Sequence, residues 1–182
     1  MTQADPNEAI YPTFETGKDD KPIAYVLIGL PGSGKSSWAA GHPDKLPIAS
    51  TDSYLEKIAA EKNITYDQAL KDYYDDAVAD MKKQVAKHTK KPAPFIWDQI
   101  NLKREKRLDI HEHLDATHRV VYVCFRVPMS ECLRRQEERA RNEAVDIERT
   151  QTLAQSASFP EPGKEPFYKV VALTHPDWGK RP

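Results

Sequence analysis

Ile23-Ala24-Tyr25-Val26-Leu27-Ile28-Gly29-Leu30-Pro31-Gly32-Ser33-Gly34-Lys35-Ser36 is the stretch that decides the fold. It opens as a continuously apolar run, the pattern of a strand buried on both faces. It then matches Gly-x-x-x-x-Gly-Lys-Ser/Thr from Gly29 to Ser36. Glycines in such a loop let the backbone wrap tightly and turn its N–H groups inward. Those groups, with the dipole of the helix that follows, suit a phosphate anion. Lys35 then reaches the β- and γ-phosphates of a nucleoside triphosphate, and Ser36 places its hydroxyl on Mg²⁺. The residues expected around the nucleotide are Gly29, Pro31, Gly32, Ser33, Gly34, Lys35, Ser36 and Ser37.

Outward from this loop, strands alternate with helices. A helix opens at about Gly34 and meets the breaker Gly41-His42-Pro43. A short strand over Leu46–Ser50 ends at Thr51-Asp52-Ser53, a suitable cap for the next helix. Tyr66, Leu70, Tyr73, Ala77, Met81 and Val85 recur at helical spacing and predict one amphipathic helix over 66–88, closed by lysines and Pro92. Strands are predicted over 94–98, 120–125 and 169–173, and helices over 103–113, 130–141 and 146–156. Residues 1–21 lack any period and read as a flexible arm; 22–182 read as a single domain with an irregular tail from Thr174. The class is α/β: a P-loop NTPase fold, with a mainly parallel sheet of about five strands, helices on both faces and a helical lid. In such sheets ligands gather at the carboxyl ends of strands. The Gly-rich loop, Asp52 and Asp98 all fall at predicted strand ends.

Bulk properties fit this class. The chain of 182 residues carries a formal net charge of only -1. A balanced sum leaves nucleic acid open as a partner, since local patches matter more than totals. The longest apolar run, Ile23 to Leu30, is far shorter than a membrane span, so no membrane partner is expected. The N-terminus lacks the basic and apolar regions of a secretory signal. Cys124 and Cys132 make neither a disulfide framework nor a metal motif, and a cytoplasmic location is the simplest reading. Oligomeric state is not legible.

On the acceptor side each candidate has two readings. Asp52 is either the base that takes a proton from an attacking hydroxyl or an ordinary helix cap. Asp98 either holds a magnesium-bound water or is a strand-end turn residue. The helix from Ser130 carries Arg134, Arg135, Arg139 and Arg141, with 135 and 139 on one face. Either a lid brings these arginines onto the transferring phosphoryl group, or the helix is a solvated one laced with Glu131, Glu137 and Glu138. A GTPase would show an Asn-Lys-x-Asp run, which is missing. An AAA-type motor would show paired acids after its strand and a further helical domain, whereas Asp98 is followed by Gln99. A small P-loop kinase fits better.

Over roughly 23–173 the chain resembles the kinase domain of phage polynucleotide 5'-hydroxyl kinase and related small P-loop kinases. The segments that carry the likeness are residues 29–38, Ser50-Thr51-Asp52-Ser53-Tyr54, Asp98-Gln99-Ile100-Asn101-Leu102 with Arg104 and Arg107, Val127-Pro128 with Arg135 and Arg139, and Phe159-Pro160-Glu161-Pro162. The resemblance implies ATP and Mg²⁺ as cofactors. It implies catalytic roles for Asp52 as general base, Lys35 and Arg139, nucleotide contacts from Arg135 and Arg139, and Ser36 and Asp98 at the metal. It also implies a nucleic-acid substrate, DNA favoured over RNA, phosphorylated at a 5'-end or on a hydroxymethylated base such as hydroxymethyluracil. The family's arginines around the catalytic aspartate look replaced by Thr51 and Leu55, neither of which pairs with phosphate as a guanidinium does.

Three functions are therefore open: a kinase for a nucleic-acid hydroxyl, a kinase for a metabolite, nucleoside or antibiotic, and a nucleotide-binding protein without an acceptor. For the first, Lys82, Lys83, Lys87, Lys90, Lys91, Lys103, Arg104, Lys106 and Arg107 would form a phosphate-tracking rim. Tyr54, Tyr73, Tyr74 and Trp97 would stack on bases, or else belong to the core.

Overall fold

A computed structural model describes Tyr11 and residues 20–139, 147–161, 163–167 and 169–173. The arm predicted over 1–21 lies almost entirely outside the described residues, and the tail from Thr174 and residues 140–146 lie outside them too. The elements run β1 (Ile23–Ile28), α1 (Lys35–Gly41), β2 (Ile48–Ser50), α2 (Asp52–Lys62), α3 (Tyr66–Lys90), β3 (Phe95–Asp98), α4 (Arg104–Leu114), β4 (Arg119–Phe125), α5 (Met129–Arg139), α6 (Ile147–Gln155) and β5 (Lys169–Leu173).

The strands form one five-stranded sheet in the order β2-β3-β1-β4-β5, every pair parallel. The loop after β1 therefore leaves the centre of the sheet, on the same edge as the ends of β2, β3 and β4. In register, Ser50 sits opposite Asp98. β1 is buried on both faces because its residues alternate between two cores. Ala24, Val26 and Ile28 pack with Met81 and Val85 of α3, Ile110 and Leu114 of α4 and Cys132 of α5. Tyr25 and Leu27 pack on the other face with Trp38 and Ala39 of α1. β2 starts two residues later than predicted. Pro47 has no N–H to donate, and its carbonyl only accepts from Ile96 N at 2.9 Å.

α3 is not the single amphipathic rod that the spacing predicts. Tyr73 leaves the helical region (φ -127, ψ 16) and divides it. The helix changes partners further along, between Ala77 and Met81. Met81 and Val85 join the main core, while Ala69 and Ala77 pack with Leu55 of α2 in a separate cluster that takes in Tyr54, Ile64, Tyr66 and Leu70. Tyr54 and Tyr73 are thus partly buried in this cluster, and Trp97 lies in the main core with 8% exposure. These three are core residues, not stacking platforms.

Arg107 is fully buried. Its guanidinium forms a bidentate pair with Glu165, at 2.9 Å from Nε and 2.6 Å from Nη2, and donates to the carbonyls of Asn101 and Ser158. Arg104 donates to the Lys164 carbonyl. Both arginines, expected on a phosphate rim, instead fasten the 158–165 segment to the start of α4. The lysines at the end of α3 also fall elsewhere. His88 stacks on Phe95, with ring centroids 5.0 Å apart, so the last turn of α3 lies at the opposite end of β3 from Asp98. That is about 10 Å along the strand. Removing one member of a buried pair leaves the other charge unpaired. Arg107→Ala is therefore expected to lose about 3–5 kcal/mol of unfolding free energy in urea denaturation, while a Lys87→Ala control loses almost none.

Candidate active site

The Gly-rich loop is held from below and from the side. Gly29 N donates to the Ile100 carbonyl at 3.1 Å, and the Asn101 amide donates to the Leu27 carbonyl at 2.8 Å. Gly32 has φ +78, and a Cβ there would stand 2.4 Å from the carbonyl oxygen of Cys132 in α5. Gln136, one turn further along α5, donates to the Pro31 carbonyl at 3.1 Å and to Thr150 Oγ1 of α6 at 3.4 Å. The two helices after β4 are thereby docked onto the loop. Gly34 caps α1 in a left-handed conformation (φ 97) and supplies no side chain to the helix N-terminus.

Lys35 is buried, with its ammonium donating to the carbonyls of Gly29 and Leu30 at 2.9 Å each. Ser36 Oγ donates to Asp98 Oδ2 at 2.9 Å. Burial pushes the Asp98 carboxyl above its ordinary value near 3.8. The Lys35 ammonium and the Ser36 hydrogen bond oppose that shift, while the Asp52 charge adds to it. Asp98 is thus no solvated turn residue. Its carboxylate is paired with the hydroxyl and faces the ammonium that the motif predicts at the phosphates.

Two buried polar atoms here have no partner: Ser33 Oγ in the loop and Asn101 Oδ1 beneath it. Orphaned polar atoms at the base of a glycine cradle fit a polar ligand that completes them. The donor set, one hydroxyl and one carboxylate, consists of the hard oxygens that Mg²⁺ prefers. The residues present therefore fit a triphosphate and its metal, with Ser36 and Asp98 as the holders of the ion.

Across from the loop lies Asp52, the first residue of α2. It does not act as the helix cap. Thr51 occupies the cap position without a side-chain hydrogen bond, and Ser50 Oγ accepts from Asp52 N at 3.1 Å instead. The Asp52 carboxylate is exposed and accepts from the Tyr66 hydroxyl at 2.9 Å. A cleft of about 720 Å³ joins the two halves. Pro31, Gly32, Gly34, Lys35, Ser36 and Asp98 line its donor side, and Asp52, Glu56, Tyr66, Asp67, Leu70 and Tyr74 its acceptor side. Lys103, Lys106, Gln136 and Arg149 also reach it. Gly29 and Ser33 sit at the root of the loop, and Ser37 follows on α1. Leu55, at a position expected beside the acceptor, is fully buried against α3 and does not line this cleft.

Of the two arginines expected at the nucleotide, the side chain of Arg135 is described. Arg135 is buried, its Nε donates to Glu131 at 2.7 Å, and it does not line the cleft. Arg134 also holds Glu131, and the two guanidinium groups, Arg134 first, lower that carboxyl to about 2. Helix α5 thus spends these two cations on its own glutamates, as a salt-laced helix does. Arg139 ends α5, and its side chain lies outside the described residues. Among the described residues the arginine that lines the cleft is Arg149 of α6, which motif reading misses, as it misses Tyr66 and Gln136. Nothing local marks them; each gains its place through packing of elements distant in sequence. Among the described residues there is no cluster of His, Cys, Asp and Glu of the kind that builds a protein-only metal site, and no helix long and apolar enough to cross a membrane.

The model of the AAA domain family matches residues 25–162, which spans the cleft and both of its walls. The chain belongs to the AAA domain family. Its fold is that of small P-loop kinases. A gluconokinase from Sinorhizobium meliloti 1021 superposes with a TM-score of 0.53 at 21% identity, over 84% of this chain and 82% of that one. A sugar kinase from Janibacter sp. HTCC2649 gives 0.54 at 18% identity over 88% and 87%. A Chloroflexus aurantiacus protein gives 0.63 at 14% identity over 86% of each chain. At such identities the likeness is one of fold. A comparison with curated proteins by sequence finds no match. These findings support the P-loop kinase half of the expected resemblance and do not extend to the polynucleotide kinase.

Gly32→Ala should cost nucleotide affinity, because the added methyl has to displace either the loop or α5; equilibrium binding of a fluorescent ATP analogue measures this. Asp98 carries a pH signature. A carboxyl with a higher pKa in the folded than in the unfolded state binds more protons when native, so its contribution to stability falls as pH rises through that window. Asp98→Asn stays neutral. It is expected to melt higher than wild type at neutral pH and to converge with it below the ordinary carboxylate range, in thermal melts across pH.

Proposed function

We propose that this protein is an ATP-dependent kinase that transfers the γ-phosphate to a hydroxyl of a small molecule: a metabolite, nucleoside or antibiotic. The observation that carries this reading is the composition of the acceptor wall. Asp52 faces the phosphate loop across one cleft, and Glu56 and Asp67 line that wall with it. Three carboxylates around an acceptor site oppose the approach of a phosphodiester backbone, because like charges brought together out of bulk water repel. A neutral or cationic alcohol meets no such barrier. The fold shared with a gluconokinase and a sugar kinase supports the same reading.

In this mechanism the loop N–H groups and Lys35 hold the triphosphate. Lys35 exchanges its two carbonyl partners for phosphate oxygens. Ser36 and Asp98 would hold Mg²⁺, which would neutralise charge on the phosphate oxygens. Asp52 accepts the proton of the acceptor hydroxyl as its oxygen forms a bond to the γ-phosphorus. The bond from that phosphorus to the β-phosphate oxygen breaks, and ADP leaves with the electron pair. Arg149 lines the cleft from α6 and supplies positive charge where the transferring group gathers negative charge. The remainder of the reaction is positioning.

Lys103 and Lys106 also line the cleft, and they support a second reading, in which the hydroxyl belongs to nucleic acid, at a 5'-end or on a hydroxymethylated base. Transfer of labelled γ-phosphate against sugars, sugar acids, nucleosides, aminoglycosides, 5'-hydroxyl DNA and RNA, and hydroxymethyluracil DNA separates the two. The expected product is a phosphorylated small molecule, with little dependence on salt. Label on nucleic acid alone, weakening steeply as salt rises, would replace the first reading by the second. Asp52→Ala should bind ATP as wild type does and lose about 10²–10⁴-fold in transfer; unchanged turnover would remove Asp52 from the role of base.

A further inference from the structure

Asp52 opens a helix on the rim of a cleft, and an exposed aspartate there rotates freely unless something holds it. What holds it is Tyr66. Among the described residues the Tyr66 hydroxyl is the hydrogen-bond partner of the Asp52 carboxylate, at 2.9 Å to Oδ1. The two residues lie on different helices, α2 and α3, and are brought together by the turn between them. The tyrosine is itself fixed at both ends. Its helix is capped one residue earlier, where Thr65 Oγ1 accepts from Gln68 N at 3.1 Å. Its ring packs against the cluster formed by Leu55, Ala69 and Ala77.

We infer that Tyr66 is a positioning residue for the transfer reaction: its hydroxyl pins Oδ1 of Asp52 so that Oδ2 faces the incoming acceptor hydroxyl. This rests on Asp52 being the general base of the proposed kinase. The chemistry of the pair is one-directional. Burial first, then the charge of Asp52 and the hydrogen bond to it, push the Tyr66 phenol well above its ordinary range. The phenol therefore keeps its proton and serves as donor, never as the base. It also lies within electrostatic reach of Arg149, whose charge opposes that shift. Tyr66 thus touches the base on α2 and feels the charge of the arginine that α6 brings to the cleft. A phenol in this place does what a second carboxylate or an arginine could not. It fixes the carboxylate without adding charge beside the proton being moved.

The alternative is that the hydrogen bond merely ties α2 to α3. Tyr66→Phe keeps the ring and its packing and removes only the donor, so it separates the two. Three readouts are used on the full chain: ATP hydrolysis with water as acceptor, transfer to the acceptor identified by the panel, and thermal melting. The expected result is a kcat lower by on the order of tenfold to a hundredfold, with KM for ATP and the melting temperature unchanged. In an Asp52→Ala background Tyr66→Phe should then cause no further loss, because the tyrosine acts through the aspartate. A readout that needs no turnover is the ¹³Cζ resonance of Tyr66, which should move on Asp52→Ala as the phenol loses its acceptor. Full kcat in Tyr66→Phe, or an independent loss in the Asp52→Ala background, or an unmoved resonance, would overturn the inference. If Asp52→Ala is inactive while Tyr66→Phe is fully active, only the tyrosine's role falls. If Asp52→Ala itself is fully active, the proposed kinase mechanism falls with it.

Discussion

Both faces of β1 are closed to water, one by α3, α4 and α5 and the other by α1, and both of its edges are taken by β3 and β4. The strand has no freedom in register or in direction. The loop that leaves it must therefore turn at the centre of the carboxyl edge, and α1 must start there. Every feature of the donor site follows from that placement. Lys35 is drawn back onto the loop carbonyls, Ser36 meets Asp98 from the neighbouring strand, and Gly32 lies against α5 with no room for a side chain. Parallel pairing throughout brings the ends of β2 and β3 to the same edge, which places Asp52 and Asp98 near enough for the charge of one to act on the other.

The donor side holds polar groups at a cost to the folded state. Asp98 sits where burial disfavours its charge, and Ser33 Oγ and Asn101 Oδ1 are enclosed without partners. Such groups weaken a fold when nothing completes them. Both lie within one loop and the turn beneath it, whereas the buried guanidinium of Arg107 is held by Glu165 and the carbonyls around it. Local imperfection at a well-supported site is the usual arrangement where a ligand completes what the protein leaves open.

The acceptor side is built on a different principle. α2 and the part of α3 through Ala77 form a helical pair with an apolar cluster of its own, separate from the main core. This pair carries the carboxylates Asp52, Glu56 and Asp67 and the aromatic residues Tyr66 and Tyr74 into the cleft. Because it has its own small core, its cleft-facing surface is set by residues that the sheet does not constrain. In the proposed kinase, the loop half would serve the nucleotide and this helical pair would meet the acceptor.

The sequence by itself determined the strands, the phosphate loop and the rim. Continuous apolar runs between turn residues mark parallel strands, and the spacing of Gly29, Gly34, Lys35 and Ser36 reflects a backbone requirement that few other sequences meet. Those are local constraints, so they are legible locally. The break in α3 is not, because the apolar spacing is that of one helix on both sides of Tyr73. Nor are the roles of the cations. Arg107 and Arg135 read as phosphate ligands until the fold buries one on Glu165 and ties the other to Glu131, while Arg149 carries no motif and reaches the cleft only because Gln136 docks α5 and α6 on the loop. Asp52 was recognisable as either a cap or a base. Tertiary structure removed the cap, since it leaves the cap position to Thr51 and sets the Tyr66 hydroxyl beside the Asp52 carboxylate across the turn between α2 and α3. A side chain's partner is chosen by elements far away in the chain, and no window of sequence contains both.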